Sequence, residues 1–139
     1  MPANQPTAPR PENADKEVKK RILIIEDDTD QRNALAQRLR FEGYDTVLAA
    51  DVPAAVRQAR LTRPDMIILD LGLPGGDGYL VVERLKSMPE LSAIPFLVIS
   101  ARDVALEKGK ALKAGAFAYF QKPIANGALR SALVTGLRG

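Results

Sequence analysis

Four side chains able to do chemistry end short apolar runs in this chain of 139 residues. Asp70 follows Met66-Ile67-Ile68-Leu69, Glu26 and Asp27 follow Ile22-Leu23-Ile24-Ile25, and Lys122 closes a third short segment just before Pro123. Carboxylates brought together repel and raise one another's pKa unless a cation joins them, and a divalent metal is the natural solution. With only oxygen ligands on offer the ion is hard, so Mg²⁺ retaining some of its waters fits better than zinc. In such a site Asp70 can act as a nucleophile toward phosphorus and form an acyl phosphate, while Lys122 meets a phosphoryl oxygen as a mobile point charge. The competing readings are structural. Glu26-Asp27-Asp28 can be a solvated acidic turn that caps a helix, Asp70 a turn cap, and Lys122 an exposed lysine at a strand end.

Composition removes several rival chemistries. The chain has no histidine, which excludes a Ser-His-Asp triad, a histidine metal ligand and a phosphohistidine of its own; any histidine must come from a partner. It has no cysteine either, so there are no disulfides and no thiolate metal sites. No apolar run approaches the roughly 20 residues of a membrane span, and no apolar core follows the first methionine as in a secretory signal. These absences point to a soluble, cytoplasmic protein with no membrane partner. The net charge is +3, of which residues 1–21 carry +2 through five basic and three acidic side chains. The remaining +1 offers little attraction for nucleic acid without a localised basic surface, so no direct nucleic-acid contact is expected.

The elements that must position these side chains can be read from patterning. Residues 1–19 hold Pro2, Pro6, Pro9 and Pro11 among polar neighbours and read as a flexible tail; residues 20–139 read as one domain. Arg21 to Ile25 and Met66 to Leu69 have the continuous aliphatic content of strands buried on both faces, and weaker strands are expected at Thr46 to Ala49, Phe96 to Ile99 and Phe117 to Phe120. Helices alternate with them: Thr29 to Glu42 after Asp28 or Thr29 as cap, one from Asp51 ended by Arg63-Pro64-Asp65, Tyr79 to Ser87, Asp103 to Ala114, and a last one capped by Asn126. Gly109 inside the fourth helix costs about 1 kcal/mol relative to alanine. Five strands alternating with five helices predict a doubly wound α/β sandwich around a five-stranded parallel sheet. Right-handed crossovers then put Glu26, Asp27, Asp70, Ser100 and Lys122 on one edge of it.

The order and spacing of Ile22-Leu23-Ile24-Ile25-Glu26-Asp27-Asp28, Ile68-Leu69-Asp70-Leu71-Gly72-Leu73-Pro74, Asp77-Gly78, Val98-Ile99-Ser100-Ala101, Ala114-Gly115-Ala116 and Gln121-Lys122-Pro123 are together very specific. Across roughly residues 20 to 138 the chain resembles the receiver domain of two-component response regulators, of the chemotaxis-regulator type. The resemblance implies a flavodoxin-like (βα)5 three-layer sandwich. It implies that Asp70 is the phosphoacceptor and that Mg²⁺ is held by Glu26, Asp27, Asp70 and the Gly72 backbone carbonyl, with Asp27 more direct than Glu26. Lys122 would contact the phosphoryl group, and Ser100 and Tyr119 would form a switch, with the Gly109 helix and the Tyr119 face as the regulated surface. The implied partners are a sensor histidine kinase or histidine phosphotransfer protein, a downstream protein or output domain, and, on phosphorylation, a second copy of the chain.

Some positions depart from the common pattern. Ile124 stands where phenylalanine is frequent, and Gly72 and Arg102 occupy positions that influence dephosphorylation in the family. Asp28 reads as a helix cap rather than a further ligand. A flavin-binding protein of similar topology is disfavoured because the acidic turn would repel a phosphate lacking metal. An aspartate-based phosphatase would need a second acid where Gly72 stands, so no enzyme acting on diffusible substrates is expected. The remaining alternative is a receiver-like interaction module that works without phosphorylation.

Overall fold

The computed structural model describes residues 18–73 and 78–138, so the expected tail, apart from Val18 and Lys19, and the segment 74–77 lie outside the described residues. Five strands, β1 Arg21–Ile25, β2 Asp45–Ala49, β3 Met66–Leu69, β4 Phe96–Ser100 and β5 Tyr119–Gln121, form one sheet in the order β2-β1-β3-β4-β5. Every pairing is parallel, with Ile24 opposite both Leu48 and Ile68 and Ile68 opposite Leu97. Five helices connect and follow the strands: α1 Thr29–Phe41, α2 Val52–Thr62, α3 Gly78–Lys86, α4 Val104–Lys113 and α5 Asn126–Arg138.

Two cores explain the continuous aliphatic strands. Leu23, Ile25, Ile67, Leu69 and Val98 point to one face, where they meet Val52, Ala55 and Ala59 of α2, Val81, Val82 and Leu85 of α3, and Ala111 of α4. Ile22, Ile24, Met66, Ile68, Leu97 and Ile99 point to the other, against Ala36 and Leu39 of α1 and Leu129, Ala132 and Leu133 of α5. A strand covered on both sides gains from apolar residues at every position, at about 25 cal/mol per Å² removed from water. This is the expected three-layer doubly wound sandwich.

Helix starts follow from local chemistry. The carboxylates of Asp28, Asp51 and Asp103 accept from the amides of Gln31, Ala54 and Ala105, so each satisfies a free donor of the first turn. Asn126 does not cap α5 as expected: it is the first helical residue, and the Ala125 carbonyl before it takes the Leu129 amide. The last strand also differs, occupying Tyr119–Gln121 rather than Phe117 to Phe120. Gly115 turns the chain at φ +111, and Phe117 and Ala118 approach β4 through single bonds to Phe96 and Val98 before regular pairing begins.

Candidate functional site

The sheet places the sequence-predicted residues together at its C-terminal edge. Beyond the last β1 residue the ladder continues, since the Glu26 amide donates to the Ala49 carbonyl and the Asp70 amide to the Ile25 carbonyl, each at 3.0 Å. The strand ends therefore present their carboxylates side by side, and Glu26, Asp27 and Asp70 offer oxygens within 4.8 Å of one another. Lys122 reaches the same point from the far side of the sheet. Its amide donates to the Ser100 carbonyl at 2.8 Å, and a cis peptide to Pro123 turns the chain away.

The Lys122 ammonium donates to Glu26 Oε1 at 2.5 Å, Asp70 Oδ2 at 2.9 Å and Gln31 Oε1 at 2.8 Å. Burial lets these contacts act at short range without full solvent screening, because the Glu26 side chain is 8% exposed, that of Asp70 13% and that of Lys122 22%. The remaining carboxylate oxygens are also engaged. Glu26 Oε2 accepts from the Asp28 amide at 3.2 Å, and Asp70 Oδ1 from the Gly72 amide at 3.0 Å. Asp27 differs: it is exposed, and among the described residues its carboxylate takes no hydrogen bond or ion pair.

Electrostatics separate the two buried acids. Burial pushes the Glu26 carboxyl up, and the nearby Asp70 charge adds to this against the opposing pull of Lys122 and the Asp28 amide. Burial would raise Asp70 as well, but the Gly72 amide, Lys122 and the Glu26 carboxyl outweigh it and hold Asp70 below the usual carboxylate range. Burial would lower Lys122, yet its two carboxylate partners more than offset this and keep it raised. Asp70 is thus an ionised carboxylate facing a firmly protonated lysine, the charge state a nucleophile toward phosphorus requires.

The donor set suits a hard divalent ion. It is all oxygen, it contains three acids against one lysine, and it leaves the exposed Asp27 carboxylate open for a ligand. Gly72 sits beside Asp70, close enough that a Cβ there would lie 3.7 Å from Oδ1.

Ser100 and Tyr119 are linked through a residue that the sequence did not single out for this role. Ser100 is 1% exposed, and its Oγ accepts from the Arg102 amide at 3.1 Å. Tyr119 is buried, not a partly exposed strand tyrosine, and its hydroxyl donates to the Arg102 carbonyl at 2.8 Å. The Arg102 backbone joins the two. Sequence reasoning also missed Gln31 on Lys122, and Arg32, whose guanidinium donates to the Glu26 and Asp27 carbonyls at 2.9 and 3.3 Å. Their position in the first turn of a helix leaving the acidic turn was the one available signal.

Comparison with known proteins agrees with this geometry. The sequence profile of the response regulator receiver domain matches residues 22–134. The KDP operon transcriptional regulatory protein KdpE of Escherichia coli is 38% identical over 117 residues, which cover 84% of this chain and 51% of that protein. The transcriptional regulatory protein PrrA of Mycobacterium leprae is 39% identical over 103 residues, covering 74% of this chain and 43% of that one. The chain therefore spans about half the length of the curated relatives it matches. Among solved structures, the signal receiver domain of a signal transduction histidine kinase from Syntrophus aciditrophicus superimposes with a TM-score of 0.78 at 34% identity, covering 86% of this chain and 91% of that one. Profile, relatives and fold agree, and the chain belongs to the response regulator receiver domain family.

Proposed function

We propose that Asp70 is the phosphoacceptor of this receiver domain and that its modification switches a protein-interaction surface. An Asp70 oxygen attacks the phosphorus of a partner's phosphohistidine, the P–N bond breaks, and the imidazole leaves with the bonding pair. Lys122, already on Asp70, follows the charge that moves onto the phosphoryl oxygens, and Gln31 steadies the ammonium. Asp27, Asp70 and the Gly72 carbonyl would hold Mg²⁺, with Glu26 acting from behind because both its oxygens are engaged. The ion supplies neutralisation of the nucleophile and the incoming phosphoryl group. The observation that carries this reading is a lysine bridging two buried carboxylates beside a third that is unengaged.

The readout follows the link through Arg102. A phosphoryl group that recruits the Ser100 hydroxyl draws on the atom that holds the Arg102 amide, and the Tyr119 hydroxyl is fixed to that residue's carbonyl. The loop leads directly into α4, where Val104, Leu106 and Leu112 are exposed apolar side chains available to an output domain, a downstream protein or a second copy. A sensor histidine kinase or phosphotransfer protein in the cytoplasm would be the donor. No described helix is long and apolar enough to cross a membrane. The phosphorylation-independent alternative leaves the assembled Asp70, Lys122 and Asp27 set without a task.

Intact mass measurement after incubation with Mg²⁺ and a small acyl phosphate tests the proposal. One phosphoryl adduct is expected on the wild type and none on Asp70→Asn. An unmodified wild type, folded and binding Mg²⁺ yet inert to several donors and to kinases, would return the chain to the interaction-module reading.

A further inference from the structure

Away from the carboxylate edge, α2 and α3 flank a groove of about 550 Å³ lined by Arg57, Arg60, Arg63 and Arg84, with Glu90 as the one acid in its lining. Four arginines against one glutamate leave +3 there, which equals the formal charge of the entire chain. The small net charge of the domain therefore hides a localised basic surface. Elsewhere Arg21, Arg102 and Arg130 are paired with Asp45, Glu107 and Glu42. The four groove guanidiniums are exposed and have no acidic partner among the described residues.

Their placement follows from α2. Arg57, Arg60 and Arg63 recur every third residue, which puts them along one side of the helix as it ends. Arg63 closes it in the left-handed region at φ 47. Arginines near helix C-termini are favoured by the helix dipole, which accounts for Arg60 and Arg84 in the last turns. That effect falls off within a turn and does not account for Arg57. Nor does it explain the apolar part of the lining, Val56 and the 72% exposed Leu61.

We propose that this groove docks an acidic segment of a partner protein in which carboxylates alternate with large aliphatic side chains. Guanidinium forks match carboxylates in bidentate geometry, and Val56 and Leu61 offer contacts to the aliphatic anchors. The lining contains no aromatic residue on which a base could stack, and four cations gathered in one concavity do not track a phosphate backbone. The groove is also remote from Asp70. Arg21, which opens β1 at the other edge of the sheet, donates to the Thr62 carbonyl at the end of α2, so the arginine-rich end of the groove lies at the edge opposite the carboxylates. Docking there is independent of phosphorylation and does not rest on the Asp70 reading.

The test is fluorescence anisotropy of the full chain with a labelled helical peptide of glutamates and leucines, its counterpart with lysines for glutamates, and duplex and single-stranded oligonucleotides. Binding of the acidic peptide alone is expected, weakened about tenfold or more in Arg57→Gln/Arg60→Gln and unchanged in Lys108→Gln on α4. Circular dichroism checks that each variant is folded. Asp70→Asn and acyl phosphate treatment should leave this binding as it is, so failure of the phosphoacceptor proposal would not alter the result. Absence of peptide binding, equal binding by the arginine variant, or tighter binding of an oligonucleotide that the same variant abolishes would each overturn the proposal.

Discussion

Lys122 compensates two carboxylates at once, and the arithmetic of the site depends on it. Replacing it with methionine keeps much of the aliphatic stem but leaves Glu26 and Asp70 facing each other in a partly buried pocket. Removing one member of such a cluster costs about 1–3 kcal/mol, the price of uncompensated charge. Urea denaturation at neutral pH should show Lys122→Met less stable by that order. The pH dependence has a definite sign. Lys122 is raised above its ordinary value of 10.5, so its contribution is fully present below that value and is lost as pH rises through the folded-state pKa. Tyr44 and Tyr119 are raised by burial and weaken the fold in the same direction at alkaline pH. The diagnostic quantity is therefore the gap between wild type and Lys122→Met, which should narrow above about pH 10.5. A gap that is constant with pH would mean that the ammonium does not stabilise the folded site. Tyr119→Phe probes the other link. It keeps the buried ring but removes the donor to the Arg102 carbonyl, so about 0.5–1.5 kcal/mol of stability should be lost. Hydrogen exchange should quicken in the loop after β4 while the sheet keeps its protection.

Elements differ in how far sequence discloses them, and the difference is one of range. The caps at Asp28, Asp51 and Asp103 are legible because side chain and amide lie two or three residues apart. The strands β1 and β3 are legible because burial on both faces demands unbroken aliphatics. The start of β5 is not, since it is set by pairing with β4 rather than by the composition of Phe117 to Phe120. Among site residues, Asp70, Asp27, Glu26 and Lys122 announce themselves as charges at the ends of apolar runs. Gln31 does not, because its contact with Lys122 spans 91 positions and nothing in α1 periodicity marks it. Two glycines show how context sets the sign of one substitution. A Cβ on Gly78 would stand 2.8 Å from Leu71 Cα and 2.9 Å from the Asp70 carbonyl oxygen, both backbone atoms that cannot move aside cheaply. Gly78→Ala should cost about 1–3 kcal/mol and slow phosphorylation by displacing the Asp70 strand end. A Cβ on Gly109 meets nothing within 4 Å, so Gly109→Ala should raise stability by about 1 kcal/mol. Thermal denaturation of the pair should move in opposite directions, and a stabilised Gly78→Ala would show that helix α3 is not seated as tightly as the structure places it.

At the scale of the whole molecule, the site is a strained collection of charge set on a fold with two full apolar cores. Three acids within 4.8 Å meet one lysine, and the excess negative charge opposes folding until a cation arrives. Ion binding and folding are therefore linked: a ligand that binds the native chain alone stabilises it by about 2.7 kcal/mol at a hundredfold excess over its Kd. Magnesium chloride should raise the melting temperature beyond the effect of sodium chloride at equal ionic strength, since screening acts on surface charges at large while coordination acts at one place. Asp27→Asn separates the two effects. The side chain is exposed and unengaged, so its loss should leave the metal-free fold as stable as the wild type or slightly more so, through relief of repulsion. The magnesium-specific shift should nevertheless disappear, and with it phosphorylation from a small donor, although Asp70 and Lys122 are intact. If Asp27→Asn kept the full shift, the ion would be bound elsewhere, and the acidic edge would be a charge cluster restrained by Lys122 alone.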